Sequence, residues 1–272
     1  MKAQTALCIV PTGFGILSGY ITRYSKEVFL SDIILNSSFY DMAVNFDYLY
    51  QFAVRMSLFI AFNLIFGVYI YKNFCTASVY VFSRNSNRTW WFLKQCMQIA
   101  LYGIVYMLLN LTGTLVITMI MHVTIKIDAG ALQLLILYFL VYTLWLYITT
   151  VLINILAMYT NSASSFAVVS VIQLLLISLL GLFNTVFPIE DNPNPGRNIK
   201  MMLANPMAHL ILGWHDNMSE AADNVKQVFN ITINAEHTIV YYTVLAALVT
   251  IAGIISVNRY DIIISDHETG GN

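Results

Sequence analysis

Charge is what this chain lacks most. Only 10% of its 272 residues are charged, 58% are hydrophobic and the mean hydropathy is +0.71. A soluble domain carries roughly 25% charged residues, so most of this surface cannot face water. Proline is scarce, and cysteine is limited to Cys8, Cys75 and Cys96. These three fall in or beside apolar runs, without metal-ligand spacing, and read as small apolar fillers. The motifs of common enzymes are missing as well. There is no GxxxxGK[ST], HExxH, GxSxG or CxxC, which excludes ATP binding through a Walker loop in this chain.

The apolar runs hold essentially no carboxylate. Intramembrane proteases need paired Asp, a Ser/His pair or a Glu/His zinc cluster. Ion-coupled transporters place ionisable groups at mid-membrane. Both classes are disfavoured, and the leading expectation is that the chain is not an enzyme. The histidines (His122, His209, His215, His237 and His267) are scattered. His209 and His215 stand six apart, not the three or four that put two ligands on one helical face. They are expected to be interfacial or solvated, and no metal site is expected.

What is present is a series of apolar runs long enough to cross a bilayer, about 20 residues each as helix. The expected fold is all-α, a polytopic membrane protein forming a single transmembrane domain over residues 1–272. Six crossings are expected, at about 4–22, 51–71, 96–121, 132–159, 166–187 and 239–257. The first run exceeds the usual signal-peptide core of about 7–15 residues and lacks a small-x-small cleavage site. Pro11, Gly13 and Gly15 should bend it.

Residues 23–50 are mixed, with Phe29, Ile33, Ile34 and Phe39 as a possible stripe, and an interfacial helix is expected there. HVTIKIDAG separates crossings three and four as a tight hairpin, and TNSASS is a turn rich in capping residues. The long segment 188–238 opens on a turn cluster, EDNPNPG. After it, 199–214 is apolar enough to lie in the interface or dip into the membrane. Pro206 should begin a helical turn there with Asn205 as its cap, and 219–229 is expected to be a short amphipathic helix. Irregular backbone at that depth requires packing in protein or a wet cavity.

Residues 72–95 carry Lys72, Arg84, Arg88 and Lys94 with no acid. Short loops rich in Lys and Arg stay cytoplasmic, so this loop orients the chain, with both termini inside and 23–50 and 188–238 outside. The same loop concentrates aromatic and basic residues. Phe82, Trp90 and Trp91 could be buried anchors of a partner contact, with Arg84 and Arg88 as charged partners; contact with anionic lipid headgroups is the plainer alternative. Within the runs the polar residues are neutral: Asn63, Asn110, Asn154, Gln173 and Asn184. They could line a substrate path, or simply hydrogen-bond between helices. Thr112, Gly113 and Thr114 suggest close helix approach.

With VYVFSRNSNRTWWFLKQ between crossings two and three, a long link before the last crossing and RYDI just after it, the chain resembles the permease subunit of an ABC-2 type ABC transporter. It is closest to the small permeases of Gram-positive peptide and bacteriocin export or immunity systems. The resemblance implies a plasma-membrane exporter subunit that carries no cofactor itself, with ATP and Mg bound by a separate ABC ATPase subunit. It places an ATPase-coupling helix on Val79, Phe82, Arg84, Asn85, Arg88, Trp90 and Trp91. It also implies a second, identical or homologous permease copy, contact with membrane lipid, and an amphipathic peptide or lipid-like cargo; no nucleic acid is expected. Two other classes stay open. One is a non-transporting sensor or immunity protein that captures a peptide at residues 23–50; the other is a membrane-embedded enzyme.

Overall fold

The computed structural model describes residues 3–21, 26–39, 49–80, 87–186, 203–215 and 232–259. Among these the chain is overwhelmingly helical. Its elements are α1 (Ala3–Ile21), β1 (Glu27–Phe29), α2 (Leu30–Ser37), α3 (Leu49–Phe66), α4 (Tyr69–Tyr80), α5 (Arg88–Ile120), β2 (Thr124–Lys126), α6 (Ala131–Tyr159) and α7 (Ser162–Val186). Two 3-10 turns follow, η1 (Pro206–Leu210) and η2 (Leu212–Trp214), and then α8 (Ala235–Arg259).

Five stretches are long and apolar enough to cross a membrane: Arg55–Cys75, Arg88–Ile120, Ala131–Tyr159, Ser162–Leu180 and Ala235–Arg259. A shorter apolar helix, Thr5–Tyr20, adds to them. The outer surface fits such a setting. Val240, Val244, Leu248, Ile251 and Ile255 form an exposed apolar stripe along α8. A stripe of that length is unfavourable in water and costs nothing in lipid.

The helices α5 and α8 run in opposite directions. Phe92 near the start of α5 meets Gly253 near the end of α8. The helices α6 and α8 share a direction: Trp145 packs against Tyr242, Tyr147 meets Thr250 at 2.6 Å, and Tyr159 meets Ser256 at 3.1 Å. Between α1 and α5 the direction is shared, because Pro11 O accepts from Asn110 Nδ2 at 3.2 Å while Gly19 lies against Thr114 and Ile117. Glycine makes this pair possible. A Cβ on Gly15 would stand 2.1 Å from the Asn110 carbonyl oxygen, and one on Gly113 would stand 2.8 Å from the Thr12 carbonyl oxygen. The close approach expected around Gly113 is therefore present, and the partner that meets it is α1.

The second crossing runs past its expected end at Tyr71. It continues to Tyr80 as α4, after a break at Gly67 and Val68. The third crossing starts at Arg88, well before the expected Cys96. The reason is local: the Asn87 side chain caps the helix, its Oδ1 accepting from Trp90 N–H at 3.0 Å. Residues 72–95 are thus not one loop; 72–80 and 88–95 are helical. At 33 residues, α5 is about 50 Å long at 1.5 Å per residue. It is longer than a hydrocarbon core of roughly 30 Å.

At the opposite end, β1 and β2 pair in parallel with Val28 against Ile125, and Lys126 forms an ion pair with Glu27. The hairpin between α5 and α6 therefore contains a strand. Below it α2 is packed rather than interfacial. Ile33, Ile34, Leu35 and Phe39 are all buried, while Phe29, expected on the same stripe, is exposed. The expected helix over 219–229 lies outside the described residues.

Candidate functional site

Two places carry polar or aromatic groups in unusual settings, one at each end of the bundle.

The first is the strap Leu203–His215. Asn205 and Pro206 begin η1 as expected, with Asn205 Oδ1 accepting from Met207 N–H at 2.9 Å. The strap is far more buried than an interfacial segment. Met207, Ala208, Leu210, Ile211, Leu212 and Trp214 are each exposed by 1% or less. Backbone that lacks a helix ladder in such a place must find other partners, and side chains of the crossings supply them. Tyr142 of α6 donates to Leu210 O at 2.9 Å and accepts from Phe39 N–H at 2.8 Å. Tyr242 of α8 donates to Pro206 O at 2.7 Å, and Tyr241 donates to Ala204 O at 3.2 Å. Asn205 Nδ2 donates to Leu176 O of α7 at 2.6 Å. Two parallel bridges, Phe39 with Ile211 and His215 with Ile233, tie in the chain on either side.

Within this strap the histidines depart from expectation. His209 and His215 are buried, not solvated, and both contact the buried hydroxyl of Thr238 in the first turns of α8. His209 Nδ1 and His215 Nε2 each lie 2.9 Å from Thr238 Oγ1. Their other ring nitrogens face backbone carbonyls, His209 Nε2 at 2.9 Å from Leu203 O and His215 Nδ1 at 3.1 Å from Ile211 O. His209 also stacks on Tyr241 with centroids 4.6 Å apart. Burial lowers the pKa of His209 from its ordinary value, partly offset by the Leu203 carbonyl and reinforced by the field of His237. No group of three or more His, Cys, Asp or Glu positioned for a metal occurs among the described residues.

The second place is the other end, where the start of α5 meets the end of α8. Arg88 Nη1 donates to Val257 O at 3.5 Å, and Asn258 Nδ2 donates to Thr89 Oγ1 at 3.0 Å. Trp91 turns inward, half-buried, with its ring 5.9 Å from that of Phe74 on α4. Trp90 turns outward and is 69% exposed. The two tryptophans therefore have different surroundings. Of the other expected coupling residues, Phe82, Arg84 and Asn85 lie outside the described residues, as does the side chain of Val79 on α4.

Of the neutral polar residues of the crossings, Asn63, Asn110 and Asn154 form interhelical joints. Asn63 Oδ1 accepts from Thr150 Oγ1 at 2.8 Å. Asn110 joins three helices, donating to Pro11 O and accepting from Tyr138 Oη at 3.3 Å. Asn154 spans the break between α3 and α4, accepting from Tyr71 N–H at 2.9 Å and donating to Thr150 O at 2.8 Å. Gln173 is buried on α7, and both ends of its amide are without a hydrogen-bond partner. The side chain of Asn184 lies outside the described residues.

The residues that sequence reasoning passed over are Tyr142, Thr238, Tyr241 and Tyr242. The three tyrosines sit in apolar runs where they read as packing, Thr238 closes the polar segment before the last run, and only the fold brings the strap to them. No family model, no curated protein and no solved structure matches this chain.

Proposed function

We propose that the chain is the permease subunit of an ATP-driven exporter of the ABC-2 kind, seated in the plasma membrane with both termini cytoplasmic. One observation carries the reading. Trp90, a large aromatic, stands 69% exposed at the start of α5, a helix longer than an ordinary hydrocarbon core, where basic residues cluster. An exposed tryptophan beside arginine is the residue pair enriched in protein–protein hot spots. A separate ATPase docked there would push on α4 and α5 together, because Phe74 and Trp91 pack across them.

The chain itself would bind no nucleotide; ATP and Mg would sit on the ATPase. A second permease copy would complete the transport path. The described crossings hold no carboxylate until Glu236 at the start of α8, which suits an amphipathic peptide or lipid-like cargo better than a small cation.

The test is co-purification from the native membrane in mild detergent, with the wild-type chain and a Trp90→Ala/Arg84→Glu variant as baits. Recovery of an ATPase subunit by the wild type and its loss with the variant, at equal thermal stability of both baits, is the expected outcome. If the wild type recovers no ATPase even with an ATP analogue present, the exporter reading falls. A non-transporting sensor or immunity protein then takes its place.

A further inference from the structure

Thr238, His209 and His215 pose a problem of hydrogen counting. Four contacts join them to one another and to the backbone: His209 Nε2 to Leu203 O, His209 Nδ1 to Thr238 Oγ1, Thr238 Oγ1 to His215 Nε2, and His215 Nδ1 to Ile211 O. All are between 2.9 and 3.1 Å, so each needs a hydrogen between its two electronegative atoms. A carbonyl oxygen cannot donate, so the ring nitrogens facing Leu203 and Ile211 must carry hydrogens. A neutral imidazole has one N–H, and these two contacts use both. The facing nitrogens are then both acceptors, and the threonine hydroxyl has a single hydrogen to give. Three hydrogens are available for four contacts.

We propose that His209, Thr238 and His215 form a one-proton binding site, in which the hydroxyl donates to one imidazole and accepts from the other, which is an imidazolium. Moving one proton across each contact, from the charged ring to the hydroxyl and from the hydroxyl to the other ring, interchanges the two rings' roles, so neither histidine owns the proton. No oxidant, metal or further ligand is involved: one proton enters from solvent and one leaves to it.

The surroundings divide between those that favour the charge and those that oppose it. Burial of His209 opposes it. Charge-assisted bonds to the Leu203 and Ile211 carbonyls favour it, as does the face of Tyr241 against His209. His209 lies in the last turn of η1, and His215 caps the end of η2, the helix ends that favour a cation.

Other ionisable groups come from several elements. On α8 they are Glu236, His237, Tyr241 and Tyr242, and His237 opposes the charge. On α6 Tyr142 reaches Leu210 O, and Arg55 of α3 acts on that tyrosine. On α2, whose following Phe39 bridges Ile211, the ionisable group is Asp32. From Ser162 to Val186, α7 contributes none.

A single proton suits the site, and a second does not. With both rings charged, two N–H groups would point at the hydroxyl oxygen, the hydroxyl hydrogen would lose its acceptor, and two like charges would share one buried oxygen. The site thus latches the strap to α8 in its one-proton form and releases it in acid.

The full chain in lipid nanodiscs, with ring-15N histidine, tests this by long-range 15N–1H correlation spectra, assigned with His209→Gln and His215→Gln. At pH 7 the expected result is partial protonation of His209 Nδ1 and His215 Nε2, summing to one proton. Thr238→Val should leave both nitrogens bare at that pH, and Thr238→Ser should restore the shared proton. Two bare facing nitrogens in the wild type would overturn the proposal, as would two protonated ones. Unchanged protonation in Thr238→Val would do the same. Should Thr238→Val fail to fold, the wild-type spectrum decides alone.

Discussion

Asn154 on α6 accepts a hydrogen bond from the backbone N–H of Tyr71 at 2.9 Å, across the break between α3 and α4. That N–H belongs to the first turn of α4, where a helix leaves its donors without intrahelical partners. From the same carboxamide, Nδ2 lies 3.4 Å from Phe66 O, at the last turn of α3. One side chain therefore serves both helix ends that the interruption exposes. Gly67 allows the chain to turn there, since a Cβ on it would lie 2.2 Å from Asn63 O.

Replacing Asn154 with leucine should keep the volume and remove the bonds. The expected cost is about 1–2 kcal/mol, the upper part of the range for hydrogen bonds between membrane helices. Reversible unfolding in mixed micelles measures it. Hydrogen exchange at the Tyr71 amide should quicken in the same variant, while amides in the middle of α5 should not change.

Two glycines on α1, Gly13 and Gly15, two positions apart, should behave oppositely. Gly15→Ala places its methyl against the backbone of Asn110 and Thr114, atoms that cannot swing aside, and should cost about 1–3 kcal/mol as an overpacked contact. Gly13 has nothing within 4 Å of a built Cβ, so Gly13→Ala should be neutral or raise stability by up to about 1 kcal/mol through helix propensity. Thermal unfolding of the two variants side by side is the check.

Acid should loosen the strap before it unfolds the bundle. His209 is held below its ordinary pKa of 6.5, chiefly by burial. With one proton already shared by the pair, this lowering falls on the second: below about pH 6.5 the unfolded chain, with both histidines free, binds more protons than the folded one, and stability is lost as pH falls further. Exchange at the Ile211 and Trp214 amides, measured from pH 7.5 to 5, should accelerate beyond the intrinsic pH trend. His209→Gln should flatten that dependence.

Asp32 gives the reverse sign. Burial raises its pKa above the usual carboxylate value, with the field of Asp128 adding to this and a hydrogen bond from the Phe29 backbone opposing it. The folded state prefers the protonated carboxyl, so this group weakens the fold once pH rises above its unfolded value of 3.8. Asp32→Asn should raise the melting temperature at pH 7 and leave it nearly unchanged near pH 3.

The sequence is informative where structure is local. Apolar runs mark the long helices, Asn205 with Pro206 marks the start of η1, and Gly113 marks a close contact. It misleads where a polar run turns out to be helical. RTWWFLKQ reads as a loop by charge, yet Asn87 in front of it is a good capping residue and the run begins α5. The strap's partners could not be read at all. His209 and His215 are 29 and 23 residues from Thr238, and no periodicity links a histidine in a 3-10 turn to a threonine in a later helix. Trp90 and Trp91 look equivalent in sequence, and only the packing of Phe74 against Trp91 separates them.

The strap's anchoring has a consequence for the order in which the protein is made. Its carbonyls at Ala204, Pro206 and Leu210 are satisfied by Tyr241, Tyr242 and Tyr142. Two of those three phenols belong to α8, which leaves the ribosome after the strap. Until α8 is inserted, the strap has its ties to Tyr142, Leu176 and Phe39, but the carbonyls of Ala204 and Pro206 lack their donors. Assembly therefore closes from α8 back onto a strap made before it, which makes the docking of α8 the step that fixes the strap.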